Sequence, residues 1–194
     1  MAPTPRLVTY SMNISLDGYI VGPDGGFDWS EPDEEVFAAH TEELQGVGVH
    51  LLGRRLHETM SYWETADQEP ESDYSTVEWA RMWRAVPKVV FSRTLTEVTG
   101  TNTRLATRSL AEEIAALRAE SDEGEIALGG AELAGGRGRR PRRRVPAFVL
   151  PVVVGGGRPY WPEGLDRIDL EHVGSRTFGN GVVASRYRVV RPGA

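Results

Sequence analysis

Glu125-Ile126-Ala127-Leu128-Gly129-Gly130-Ala131-Glu132-Leu133 places a short apolar run, a glycine pair and a helix opening in one unbroken stretch. Glu125–Leu128 reads as a buried strand, Gly129-Gly130 as a tight turn, and Ala131 onward as the first turn of a helix. A strand that hands over to a helix through glycine is the repeating unit of an α/β sheet, and such sheets bind ligands beyond the carboxyl ends of their strands. Two other stretches have the same layout: Leu52 before Gly53-Arg54-Arg55, and Phe91 before Ser92-Arg93-Thr94. Glycine at a strand end lets a phosphate approach backbone N–H groups, the helix dipole favours its charge, and arginine adds bidentate donors. Three such corners in register point to a nucleotide with several phosphates, a 2′-phosphate among them. The same residues fit glycine helix caps and solvated arginines equally well on spacing alone. No G-x-G-x-x-G fingerprint and no Walker loop is present, which disfavours the two commonest nucleotide folds.

Outward from these corners, strand and helix signals alternate. Leu7–Ser15 is rich in β-branched and apolar residues and runs into a Gly/Asp/Pro turn cluster, Leu16 to Gly26. Ser30, with Asp33 three residues on, is the expected cap of a helix that aligns Phe37, Thr41 and Leu44. Val47–Leu52 is a strand, Arg54–Tyr62 has helical character, and Thr76–Val86 is a helix whose Trp79 and Trp83 share a core-facing side. Pro87 stops that helix before the strand Lys88–Ser92, with a weaker strand near Thr103–Ala106. Ser109 and Glu112 form a capping box for a helix striped by Leu110, Ile114 and Leu117. Phe148–Val154 is a further strand ending at Gly155-Gly156-Gly157, and Arg167–Arg176 with Gly181–Arg191 make a terminal hairpin. The expected architecture is a mostly parallel α/β sheet with flanking helices and an antiparallel hairpin at one edge.

The 194 residues suit a single domain spanning 1–194. No run of 18 apolar residues is available to span a bilayer, and Met1–Arg6 lacks a signal-peptide layout, so a cytoplasmic location is expected. The absence of cysteine excludes disulfides and thiolate metal sites. His40, His50, His57 and His172 show no metal-ligand spacing and read as packing or surface residues. A net charge of −6 argues against a nucleic-acid partner.

At this level the residues resemble the dihydrofolate reductase-like family, specifically stand-alone relatives of the RibD C-terminal domain of riboflavin biosynthesis. The resemblance is carried by Ser15-Leu16-Asp17-Gly18-Tyr19-Ile20-Val21-Gly22-Pro23-Asp24-Gly25, Asp28-Trp29, Leu52-Gly53-Arg54-Arg55 with Glu58, Lys88-Val89-Val90-Phe91-Ser92-Arg93-Thr94, Ile126 to Leu133, and Pro151-Val152-Val153-Val154-Gly155-Gly156-Gly157, in the family's order. It implies an NADPH-dependent reductase acting on a small molecule, and a homodimer. Gly53, Arg54, Arg55, Ser92, Arg93 and Thr94 would then hold the adenosine phosphates. Gly129, Gly130, Ala131, Glu132 and Leu133 would receive the pyrophosphate, while Asp17 would be the catalytic residue beside the substrate. Hydride transfer asks little of side chains, which agrees with the lack of a triad or paired carboxylates. Two departures bear on the substrate: a lysine and a glutamate common in riboflavin reductases are Ser11 and Leu128 here, so a phosphoribosylaminopyrimidine loses two polar partners. Position 56, often threonine in the family, is Leu56. A pterin, a pyrimidine or another carbonyl or imine compound stays open, as does a ligand sensor of the same fold without turnover.

Ala134–Ala147 holds six arginines and no acid, in a chain that otherwise has 16 basic and 28 acidic residues. Relatives of this kind continue the helix here and follow it with a Gly-Leu-Val-Asp-Glu turn, whereas Gly135-Gly136-Arg137-Gly138-Arg139-Arg140-Pro141 is hostile to a helix. Reading the codon families one nucleotide later permits L-A-A-A-A-D-G-L-V-D-E-F-R-L, which restores that pattern. The run is therefore expected to be a local frameshift. The rival reading is an RNA- or DNA-binding arm at Arg137–Arg144, which lacks interleaved aromatics.

Overall fold

The computed structural model describes residues 6–121, 123–135 and 143–190. The first apolar segment forms two strands, β1 (Val8–Tyr10) and β2 (Met12–Ser15), followed by the short β3 (Tyr19–Val21). Then come α1 (Glu34–Gln45), β4 (Val47–Gly53), α2 (Arg54–Met60), α3 (Tyr74–Ala85), β5 (Lys88–Phe91) and β6 (Thr103–Leu105). The chain continues through α4 (Leu110–Glu120), β7 (Glu125–Gly129), α5 (Ala131–Ala134), β8 (Arg143–Leu150), β9 (Arg158–Pro159), β10 (Leu170–Thr177) and β11 (Val183–Val189). The main sheet runs β10-β11-β8-β1-β7-β4-β5-β6, with β2 also paired to β8. Pairings from β8 to β6 are parallel, while β10–β11 and β11–β8 are antiparallel, so the expected mixed, mostly parallel sheet with a terminal hairpin is what forms.

Alternation along the strands divides the core. Val8, Tyr10, Val49, Leu51, Ile126 and Leu128 pack with Ile114 and Leu117 of α4 and with α5 on one face. On the other, Leu52 joins Leu44, Trp79 and Trp83, and Phe148 and Leu150 join Val36 and Ala39 of α1. Trp79 and Trp83 stack with ring centroids 5.8 Å apart and are 8% and 1% exposed, as expected of a core pair. Burying an aromatic side chain of this kind contributes roughly 2–3 kcal/mol.

Lys88 is buried beside them, donating to the carbonyls of Trp83 and Val86 at the end of α3, where a cation complements the helix dipole. Its Nζ lies 3.8 Å from Glu64 and 4.8 Å from the Trp83 ring centre.

Several boundaries differ from the sequence expectation. Asp33, not Ser30, caps α1 by accepting from Val36 N–H; Ser30 instead donates its hydroxyl to Phe27 C=O within a 3-10 turn. Pro32 separates Ser30 from the helix, and aspartate is as good a cap as serine. The capping box of Ser109 and Glu112 forms as expected.

The strand expected at Phe148–Val154 begins at Arg143 and ends at Leu150, because Pro151 carries no N–H to continue the ladder. Residues 136–142 of the arginine run lie outside the described residues, while Ala134 ends α5 and Arg143–Ala147 run into β8. Pro146 also explains why Leu7–Ser15 is two strands. β1 pairs with β8 up to Thr9↔Arg144 and β2 resumes at Met12↔Ala147, so Val145 and Pro146 stand opposite the gap. Tyr160 bridges this seam: its hydroxyl donates to Tyr10 C=O at 3.1 Å, and its ring stacks on Tyr10 at 4.5 Å.

Candidate functional site

Parallel register brings strand ends to one rim. Leu52 pairs with Gly129, Gly53 with Phe91, Tyr10 with Leu128, and Ser15 with Leu150. The corners at Gly53, Ser92 and Gly129-Gly130 therefore stand side by side, with Ser15 and Leu150 continuing the rim. Gly130 has φ 106°, and a Cβ there would sit 3.9 Å from Gly53 Cα, so these two corners meet backbone to backbone. A Cβ on Gly129 would come within 2.5 Å of Leu56 Cδ2 and 2.7 Å of Leu52 Cδ2. Leu56 thus fills the space beneath the glycine turn with hydrocarbon rather than a hydroxyl.

Arg54 Nη1 pairs with Glu58 Oε1 at 3.0 Å, one helical turn on, and Arg55 reaches Glu132 at 3.8 Å, joining α2 to α5. Both arginines are exposed enough that these pairs are weakly held in water. Arg93 is exposed and, among the described residues, pairs with no carboxylate. Ser92 Oγ accepts from Thr94 N–H at 3.1 Å and Leu95 N–H at 3.0 Å, which shapes the turn that presents Arg93. Ala131 is buried, Leu133 packs on the core, and Glu132 projects outward. The structure thus gathers Gly53, Arg54, Arg55 and Gly129 to Glu132 at one place, with Ser92, Arg93 and Thr94 at the next strand end.

Asp17 lies farther along the rim. Its carboxylate accepts from Val154 N–H at 3.2 Å and Gly155 N–H at 2.8 Å. The Ser15 hydroxyl, then these backbone donors, hold the Asp17 carboxyl below the usual carboxylate range. Leu16 N–H donates to Val152 C=O at 2.8 Å, Tyr160 N–H donates to Gly18 C=O, and β3 pairs with β9. The loop after β8 is therefore laced to the loop after β2.

Gly155, Gly156 and Gly157 have φ of 78°, 154° and 111°, and a Cβ on Gly157 would overlap Val21 C=O and Gly22. A shallow cleft of about 370 Å³ opens where these loops meet, lined by Val21, Gly22, Pro23, Gly25, Gly157, Arg158 and Pro159. Leu16 and Val153, both exposed apolar side chains, flank the Asp17 tie. Trp29 borders the 22–26 turn: a Cβ on Gly22 would lie 3.8 Å from its Nε1, and that nitrogen is enclosed with no hydrogen-bond partner. Asn13 donates Nδ2–H to Ser30 C=O and leaves its Oδ1 likewise enclosed and unpaired.

The role of Val154 and Gly155 as donors to Asp17 has no sequence signal beyond the glycine string, since the partners lie 137 and 138 residues apart. The two departures from the riboflavin reductases are visible in the fold. Ser11 Oγ donates to Glu43 Oε2 at 2.8 Å, and Leu128 is 3% exposed within the core. Neither position offers a substrate a charged partner.

Among the described residues no helix is long and apolar enough to cross a membrane. The chain is 27% identical over 188 residues to YyaP, an uncharacterized protein of Bacillus subtilis (strain 168), with 94% of each chain covered. Its structure is similar to that of a candidate riboflavin biosynthesis protein from Shewanella sp. PV-4, with a TM-score of 0.72 at 21% identity, covering 95% of this chain and 99% of the other. It is also similar to dihydrofolate reductase from Enterococcus faecalis complexed with NADP(H), with a TM-score of 0.57 at 15% identity and 94% of each chain covered. At such identities the two structures bear on the fold, which is dihydrofolate reductase-like. The model of the RibD C-terminal domain matches residues 6–184, and the chain belongs to that family, a reductase-type family on a dihydrofolate reductase-like fold.

Proposed function

We propose that this chain is an NADPH-dependent reductase that transfers hydride to a small pterin- or pyrimidine-like substrate. The observation that carries the reading is the convergence of Gly53, Gly129-Gly130 and the Ser92 turn on one rim, with three arginines around them. The fit to a phosphorylated dinucleotide is physical. Gly53 and Gly130 leave backbone uncovered where a Cβ would stand between the corners, and Arg54, Arg55 and Arg93 supply cationic donors at two strand ends. NADPH would supply the hydride when bound. The chain's part is to hold phosphates, orient the partners and exclude water.

Arg93 suits the 2′-phosphate because it has no competing carboxylate, whereas Arg54 and Arg55 each have one. With Ser11 turned to Glu43 and Leu128 in the core, an uncharged heterocycle suits the site better than a phosphoribosyl-bearing one. The test is titration of the purified protein with NADPH and with NADH, followed by tryptophan quenching, for which Trp29 beside the 22–26 turn is the reporter. NADPH is expected to bind more tightly, and Arg93→Ala to weaken it about tenfold while leaving NADH unchanged. Equal binding of the two nucleotides, or none, would overturn the reading.

A further inference from the structure

We propose that Asp17 is a positioning residue: its carboxylate, held by the N–H groups of Val154 and Gly155, ties the glycine triplet to the loop after β2 and so sets the cleft wall. This rests on the reductase reading above for its functional meaning, and on the geometry alone for the tie itself.

One oxygen accepts from Val154 N–H and the other from Gly155 N–H, so each is engaged by the loop backbone. The tie spans the ends of two neighbouring parallel strands, since Ser15 and Leu150 are register partners. Beyond it, Gly155 to Gly157 carry positive φ at every residue, a conformation that glycine adopts freely and does not hold by itself. The triplet must nevertheless stay put, because Gly157 packs on Val21 C=O and Gly22 without room for a side chain, and with them lines the 370 Å³ cleft. The carboxylate supplies the restraint that the glycines lack. The Ser15 hydroxyl first, and then these backbone donors, favour the ionised form, which has no proton to give.

The experiment uses the full chain with Asp17→Ala, Asp17→Asn and Asp17→Glu. Three quantities are read: amide hydrogen exchange across 153–157, NADPH affinity by tryptophan quenching, and thermal midpoint. Asp17→Ala is expected to speed exchange at Val154 and Gly155 about tenfold and to weaken NADPH binding several-fold, with a thermal midpoint close to that of the parent because the tie is at the surface. Asp17→Asn, which keeps one acceptor and turns an N–H group toward the second donor, should fall between Asp17→Ala and the parent. Asp17→Glu, which keeps the charge on a longer arm, should restore part of the protection.

Unchanged exchange at 153–157 in Asp17→Ala would overturn the tie. Faster exchange with unaltered NADPH affinity would overturn its role in shaping the cleft. If the parent protein binds no NADPH, the reductase reading fails by itself, and the exchange measurement still decides the tie.

Discussion

Replacing His50 by leucine should make the protein markedly less sensitive to mild acid. His50 lies on β4 with its ring 5.1 Å from that of Trp83, and its Nε2 is enclosed without a partner although part of the residue reaches the surface. Burial, and then the neighbouring Lys88 ammonium, push its pKa down from 6.5 to about 3. The charged group that acts on it is Lys88 on β5, whose Nζ lies 3.8 Å from Glu64. A histidine whose folded pKa is depressed leaves the unfolded chain to bind the proton first. Its contribution is therefore fully present above about pH 6.5 and is lost as the pH falls through that value toward 3.

In that window the stability changes by about 1.4 kcal/mol per pH unit, so between pH 7 and pH 4.5 this residue accounts for at most roughly 2–3 kcal/mol. The carboxylates lowered by partners act elsewhere. Asp67 beside Arg84, Asp73 at the α3 cap and Glu112 in the capping box keep their contributions above the ordinary carboxylate range and lose them below it. Losses from carboxylates and from His57, also lowered by burial, are common to the parent and the variant, so the comparison of the two proteins isolates His50. Urea unfolding of the parent and of His50→Leu at the two pH values reads the difference directly. The variant should lose about 2 kcal/mol less than the parent on acidification, at unchanged m-value. Equal losses in the two proteins would show that the enclosed ring does not carry the acid response.

Gly129→Ala should cost about 1–3 kcal/mol in thermal or urea unfolding, because the new methyl meets Leu56 and Leu52. Adding Leu56→Ala should recover part of that loss by vacating one of the two contacts, and an additive double variant would place the strain elsewhere. If 134–147 is a displaced reading frame, replacing it with L-A-A-A-A-D-G-L-V-D-E-F-R-L should raise the helical circular-dichroism signal and lift the thermal midpoint by several degrees. The replacement removes Pro146 from the seam opposite β1 and β2 and returns an N–H to the strand. The mass of the protein made from its own gene places the shift: a mass matching the written sequence would confine it to a real mutation in the gene, and any other would put it in the recorded sequence.

Much of the framework was readable because its determinants are local. The strand-to-glycine corners at Leu52-Gly53, Phe91-Ser92 and Leu128-Gly129 announce parallel strands, and the Ser109/Glu112 box and the Trp79/Trp83 spacing each report a helix within a few residues. What escaped notice depends on distant backbone. β9 is two residues long, and only its pairing with β3 makes it a strand. The start of β8 was hidden under arginines whose composition resembles a solvated arm, yet Arg144 lies in register with Thr9 and pairs with Glu125 at 3.0 Å. The break at Ser11 is dictated by a proline 135 positions away. At the site, the glycine and arginine corners at neighbouring strand ends were legible from residue type, whereas the acceptor role of Asp17 was not, because main-chain donors leave no mark in composition. The helix expected after Gly130 spans only Ala131–Ala134 among the described residues, which shortens the dipole available at that corner.

The placement of β1 has a consequence for biosynthesis. Its neighbours are β7 and β8, so Val8–Tyr10 find their partners only when residues 126–128 and 143–144 exist. At ordinary ribosomal speeds that is a delay on the order of ten seconds, during which the first apolar strand leaves the exit tunnel with nothing to join. Nascent chains halted before residue 126 should therefore be captured by holdase chaperones through their amino-terminal segment, and release should come only once the middle of the sheet can close around it.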